Sequence, residues 1–354
     1  MALALLYVAA MPMFKALAAT SSVKDDVSGL YFSIIEGEAL GYDGVCEVSA
    51  VPEGEAKYSG AINIPESVTI NDKTYLVTKI GVDALSEYKA ESNLITSVTM
   101  PNSITEIAEG ALSGCLYVTT LTLSENLTEI GPYAFAAAGI WSITIPEGVK
   151  HISNNAFEDA HLFSVTLPET LETIGDSAFD GCQLFSIVIP DNVTTIGEKA
   201  FFACTFLENV SIGKSVTEIG SKAFAHSDAI LYVTCYNTTP PAIEEGAFDS
   251  NIYPQADLYV YPEVQHLYEA HDVWTKFSDI TTGIEKGEVM ALDVAVDGDT
   301  LIIVGAADNT ETIIYNLYGA VVYRGHDSRI SLSSPGVYVV AVDDATLVKK
   351  VAIK

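Results

Sequence analysis

The chain has 354 residues, and Asp and Glu outnumber Lys and Arg by 47 to 17, for a net charge of −30. Arg324 and Arg329 are the only arginines. A surface of this sign repels phosphate backbones and anionic headgroups, which argues against a nucleic-acid partner and limits any membrane role to export or surface anchoring.

Residues 1–19 are almost wholly apolar, broken by Lys15, and close on Ala16-Leu17-Ala18-Ala19. An apolar run ending in an Ala-x-Ala-like site predicts a cleaved signal peptide. No Lys or Arg precedes the run, so the alternatives are a true start further upstream or a membrane-anchoring helix. Residues 20–60 carry strand signals without a period, such as Tyr31-Phe-Ser-Ile-Ile and Gly44-Val-Cys-Glu-Val. They read as an N-terminal β cap over the open end of a stack.

Residues 61–283 repeat. Ile143-Thr-Ile-Pro-Glu-Gly-Val-Lys-His-Ile-Ser-Asn-Asn-Ala-Phe157 recurs with small changes from Val165, Ile187 and Val210, and upstream from Val98 and Leu121. A fixed spacing of 22 to 23 residues means stacked equal coils, since one coil cannot bury its apolar face alone. Within a coil, Ile143-Thr144-Ile145 alternates as a half-buried strand, and Pro146 ends it because it cannot donate to a ladder. Val149 and Ile152 are the next buried pair. A glycine usually follows (Gly131, Gly175, Gly197, Gly220), which predicts a turn at positive φ there; Ser153 replaces it once. Ala156-Phe157 supplies the far wall. The six residues Val98, Leu121, Ile143, Val165, Ile187 and Val210 are expected in one buried column of a right-handed array.

These residues resemble the BspA-like leucine-rich repeats, whose pattern runs Leu-x-x-Ile-x-Ile-Pro-x-x-Val-x-x-Ile-Gly-x-x-Ala-Phe. The resemblance implies a repeat solenoid with short parallel strands, and proteins that are mostly bacterial surface or secreted proteins, several of them adhesin-like. It carries over no ligand. Its closing coils often end in a short Tyr-bearing helix and Trp-x-x-Phe, matched here by Tyr268, Trp274 and Phe277, an aromatic lid over the last coil.

Residues 284–354 change character. Strands are expected at 292–296, 300–304, 312–315, 321–323, 329–332, 336–342 and 347–353, a small all-β immunoglobulin-like sandwich. The stretch from Ile314 to the closing Lys349-Lys-Val-Ala-Ile-Lys354 resembles the sorting domain of type IX secretion, which would imply export across an outer membrane. A plain terminal sandwich is the alternative.

Candidate chemistry is sparse. Cys115, Cys182 and Cys204 share one repeat position, filled elsewhere by Ala138 and Ala160. A disulfide is open to an exported protein, but stacked buried thiols fit better. No Cys-x-x-Cys, histidine spacing or nucleophile motif points to a metal, cofactor or catalytic residue, and none is expected. Glu125, Glu147, Glu169 and Asp191 would stack as an acidic column, a solvated edge rather than a calcium ladder. The informative column is aromatic. Trp141, Phe163 and Phe185 follow one another at 22-residue steps where flanking coils have Thr96, Thr119 and Glu208. Set among Ser and Thr on the strand face, they are expected to form an exposed ligand-binding strip; the alternative is rings that stack only for stability.

The sequence thus reads as an exported, monomeric, non-enzymatic surface protein that binds a host extracellular protein or glycan. A polysaccharide-active enzyme or a structural spacer are the rivals. An enzyme needs clustered Asp, Glu or Lys on the sheet face, where this chain has hydroxyls and rings.

Overall fold

The structure is a computed structural model. It describes residues 22–35, 37–87, 94–244 and 246–282, and, with a few flanking residues, seven strands between 293 and 353. The expected signal segment lies outside the described residues.

The repeats form a parallel-strand β-solenoid. Each coil gives one strand to a front face, one to a back face, and closes through the Ala-Phe arc. Back strands are two-residue pairs such as His151–Ile152, Thr173–Ile174 and Thr195–Ile196 in parallel register. They stack Ile80, Ile107, Ile130, Ile152, Ile174, Ile196, Ile219 and Ile243 in one column. The N-terminal strands continue this same sheet: Gly44–Ser49 pairs in parallel with Lys73–Ile80 and antiparallel with Tyr31–Ile35. Ser67–Ile70 folds onto Lys73–Ile80 through Asn71 and Asp72, at φ 51° and 63°. Two consecutive positive-φ residues are what a tight type I′ hairpin needs.

The front face holds the expected column. Val98 is in register with Leu121, Ile143 with Val165, and Ile187 with Val210. Four of the six are buried, whereas Leu121 and Val165 are half-buried and pack against the core. The front strands pair in three separate groups, while the back sheet runs unbroken. The back wall therefore links every coil through one continuous ladder.

The arc is the densest part. Phe135, Phe157, Phe179, Phe201, Phe224 and Phe248 are fully buried and stack face to face, with centroids 4.8–5.3 Å apart and planes within 3–10° of parallel. Alternate N–H groups bind forward: Asn155, Phe157 and Asp159 donate to the carbonyls of Asp176, Ala178 and Asp180 in the next coil. The residues between them close tight turns within the coil, as Ala156 does on Ser153 and Glu158 on Asn155.

That alternation corrects the expectation for the repeat glycines. Gly131, Gly175, Gly197 and Gly220 are not at positive φ. Positive φ falls two residues later, at Tyr133, Asn155, Ser177, Lys199 and Lys222, and again at Ala137, Asp159, Ala203 and His226. Left-handed backbone costs a non-glycine residue roughly 1–2 kcal/mol, so inter-coil hydrogen bonding must hold it. The glycines answer a different need: a Cβ on Gly197 would lie 2.7 Å from the backbone nitrogen of Asp176. Where Ser153 stands in for glycine, its hydroxyl donates to the Ile130 carbonyl at 2.6 Å.

The aromatic lid is present. Tyr268 and Trp274 are fully buried; the Tyr268 hydroxyl donates to the Asn237 carbonyl and the Trp274 indole N–H to the Pro241 carbonyl. Phe277 sets its ring edge-on to Phe248 at 5.5 Å and so ends the phenylalanine stack. Beyond it, the seven expected strands appear, from Asp293–Asp297 to Leu347–Ile353, in antiparallel sheets of three and four.

Candidate ligand-binding strip

Trp141, Phe163 and Phe185 sit one residue before the front strands Ser142–Thr144, Ser164–Thr166 and Ser186–Ile189. The backbone brings them together: Phe163 N–H donates to the Trp141 carbonyl at 2.8 Å, and Phe185 N–H to the Phe163 carbonyl at 3.3 Å. Their rings follow at 5.4 Å and 5.6 Å between centroids, with planes 58° and 23° apart. All three are half-buried rather than fully exposed. The expectation of an open strip is corrected to that extent, because each ring covers part of the next.

Sequence reasoning missed the strip's extension. Phe206 sets its edge against Phe185 at 6.0 Å and is 48% exposed. Glu208 is in register with the three rings, so Phe206 lies outside the aligned column; the 23-residue step from Ile187 to Val210 supplies one extra residue before the strand. The same extra residue upstream leaves Tyr117 53% exposed. The signal was there in the coil length, not in the column. On the strand face beside the rings, Ser142, Thr144 and Thr166 are exposed, and Val188 replaces the hydroxyl in its coil at 54% exposure.

Further along the front face Tyr232 and Tyr259 lie 6.3 Å apart, and Tyr236 and Tyr261, where prolines stand in other coils, lie 6.2 Å apart.

The acidic column does a structural job. The Glu147 carboxylate accepts the Glu169 N–H at 3.4 Å, and Asp191 accepts the Lys214 N–H at 3.2 Å while pairing with the Lys214 ammonium. Glu147 and Asp191 thereby cap the turn of the following coil, while the Glu125 carboxylate accepts from the Asn102 side chain of the coil before. A second group was not foreseen. Glu158, Asp159 and Asp180 gather on the outer side of two successive arcs. Partial burial and mutual repulsion push the Asp180 carboxyl up to about 7, and burial raises Glu158 and Asp159. Burial also lowers the neighbouring His161, against the pull of Asp159. Among the described residues no group of three His, Cys, Asp or Glu is placed to hold a metal ion.

The thiols are free and buried, with the Cys182 and Cys204 S–H groups donating to the Phe157 and Phe179 carbonyls at 3.1 Å and 3.2 Å. Burial pushes both thiols up, so they serve as small apolar fillers with a hydrogen bond. Among the described residues no helix is long and apolar enough to cross a membrane.

The sequence matches a family model described as a BspA type leucine rich repeat region, over residues 78–201 and 128–253 in six copies. The array is a BspA-type leucine-rich repeat region. Solved structures similar to it include a leucine-rich repeat protein from Bacteroides ovatus, at 24% identity, TM-score 0.45, covering 70% of this chain and 75% of that one. A leucine rich cell surface protein from Faecalibacterium prausnitzii shares 19% identity, TM-score 0.43, covering 76% and 96%. A leucine-rich repeat protein from T. pallidum shares 21% identity, TM-score 0.46, covering 56% and 87%. Curated protein sequences return no match.

Proposed function

We propose that this is a cell-surface BspA-type repeat protein that binds a macromolecule through the strip of Trp141, Phe163 and Phe185, in the manner of an adhesin and without catalysis. One observation carries the reading: three successive coils place a large ring where the same fold accepts Thr96, Thr119 and Glu208. The repeat type supports the surface placement. Partly exposed aromatics with apolar neighbours on a hydroxyl-lined sheet are the composition of a protein hot spot.

The test is to screen the full chain against glycans and extracellular matrix proteins, then repeat with W141A/F185A. A binder lost in the variant, with the fold intact by circular dichroism, supports the site; an undiminished binder removes it. The export half of the proposal is separate. Residues 284–354 fused to a passenger, in a host with type IX secretion, should reach the cell surface, and retention in the periplasm would return this part to a plain terminal sandwich.

A further inference from the structure

The rings of the strip use up their own faces. Phe163 and Phe185 stack on each other, Trp141 leans over Phe163, and the edge of Phe206 meets Phe185. A sugar ring stacks by laying its C–H face flat on an open aromatic face, and the two central rings have none to offer. The central rings present their edges, Phe206 is exposed at the Phe185 end, and Tyr117 is exposed in the coil before Trp141. Edges and flanks of stacked rings suit interdigitating side chains.

The charge beside the strip is one-sided. Asp159 is four residues before Phe163, and Asp180 five before Phe185, so neither Cα lies more than about 18 Å from its ring's residue. Lys150, Lys199, Lys214 and Lys222 are the only lysines or arginines between residues 94 and 244. Lys150 and Lys214 are already paired with Glu172 and Asp191. Lys199 is shared between the carboxylates and the Phe202 ring, which it overlies at 5.8 Å. Lys199 is thus the lysine whose charge reaches Glu158 and Asp180, and His161 the group whose charge reaches Asp159. The arcs on either side put Ala136 and Phe202 at the position of Glu158 and Asp180, so the carboxylates, like the rings, are not demanded by the repeat.

We propose that the partner is a cationic protein segment, Lys- or Arg-rich with apolar anchors, which seats its apolar side chains between the strip's ring edges and its positive charges on Glu158, Asp159 and Asp180. This rests on the strip reading above and narrows it from macromolecule to basic protein.

The test uses the full chain with three probes: an alternating Lys/Leu peptide, its Glu/Leu counterpart, and cello- and chito-oligosaccharides, followed by calorimetry. The Lys/Leu peptide should bind, and E158Q/D159N/D180N should weaken it by at least about tenfold, as loss of close charge pairs does. The control E125Q/E147Q/E169Q removes three carboxylates from the proline edge and should change little. Equal loss in both variants, binding of the oligosaccharides instead, or no binding of the Lys/Leu peptide would each overturn the proposal. W141A/F185A separates the two layers. Loss there with retention in the carboxylate variant overturns the cationic partner alone; retention there overturns the strip and the proposal with it.

Discussion

Two aromatic columns run through the same coils at the same spacing, and they behave differently. In the core, Phe135 to Phe248 repeat without a gap, and every pair is parallel within 10°. On the front edge, Trp141, Phe163, Phe185 and Phe206 span four coils, and their interplanar angles run from 23° to 63°. A ring walled in on every side has one orientation; a ring with a solvent flank finds its own tilt. The core column is thus a condition of the fold, and the edge column an addition to it.

Phe179→Ala tests that contrast with the largest expected effect. A fully buried ring should cost about 3–5 kcal/mol, and the damage should spread to neighbouring coils because each supports only the next. Urea unfolding measures it, and a loss below about 1 kcal/mol would remove the stack from the core.

Next is Gly139→Ala, just before the edge column. Its Cβ would lie 1.9 Å from the Leu116 carbonyl oxygen, a backbone atom in the longer coil beneath. Overpacking of this kind costs about 1–3 kcal/mol, whereas Gln183→Ala, at the same position two coils later, should be close to neutral. Equal melting temperatures for the two variants would refute the close-approach account.

Trp141→Ala with Phe185→Ala should cost less than Phe179→Ala alone, since half-buried rings forfeit only part of the roughly 1.5–3 kcal/mol of a full burial. A double variant that unfolds would make the edge column core as well.

The smallest effect is in pH. The Asp180 carboxyl is raised from 3.8 to about 7 by burial and by Glu158 and Asp159. A group whose folded value lies above its unfolded one stabilises the fold while protonated. That contribution is complete below about 4 and is lost as pH rises through about 7. The melting temperature should therefore fall between pH 5 and pH 8, and Asp180→Asn should flatten the fall. An unchanged slope in the variant would refute this assignment.

The period, the buried columns, the thiol position and the aromatic lid were legible because each is set by side-chain size, and size repeats visibly. The positive-φ residues were not. Tyr133, Ser177 and Lys199 have no composition in common, because bonding to the next coil imposes their geometry. The glycines that drew attention instead answer to a neighbour's backbone, which only the stack reveals. Phe206 was hidden for a related reason: an extra residue in its coil shifts it off the aligned column while the ring still reaches Phe185. The carboxylate group needed two coils side by side to be seen at all.

The arc's forward-pointing N–H groups have a consequence for the ends of the stack. On the arc, Phe157 N–H binds the later Ala178 carbonyl; on the back wall, Gly175 N–H binds the earlier Ile152 carbonyl. These two bonds point opposite ways along the stack. A bare C-terminal end would show donors on one wall and acceptors on the other, and a bare N-terminal end the reverse. Two copies exposing such ends would match on both walls at once by continuing head to tail, the arrangement that grows open filaments rather than closed dimers. At the C-terminal end the lid takes up two carbonyls of the stack, those of Asn237 and Pro241, through the Tyr268 hydroxyl and the Trp274 indole N–H.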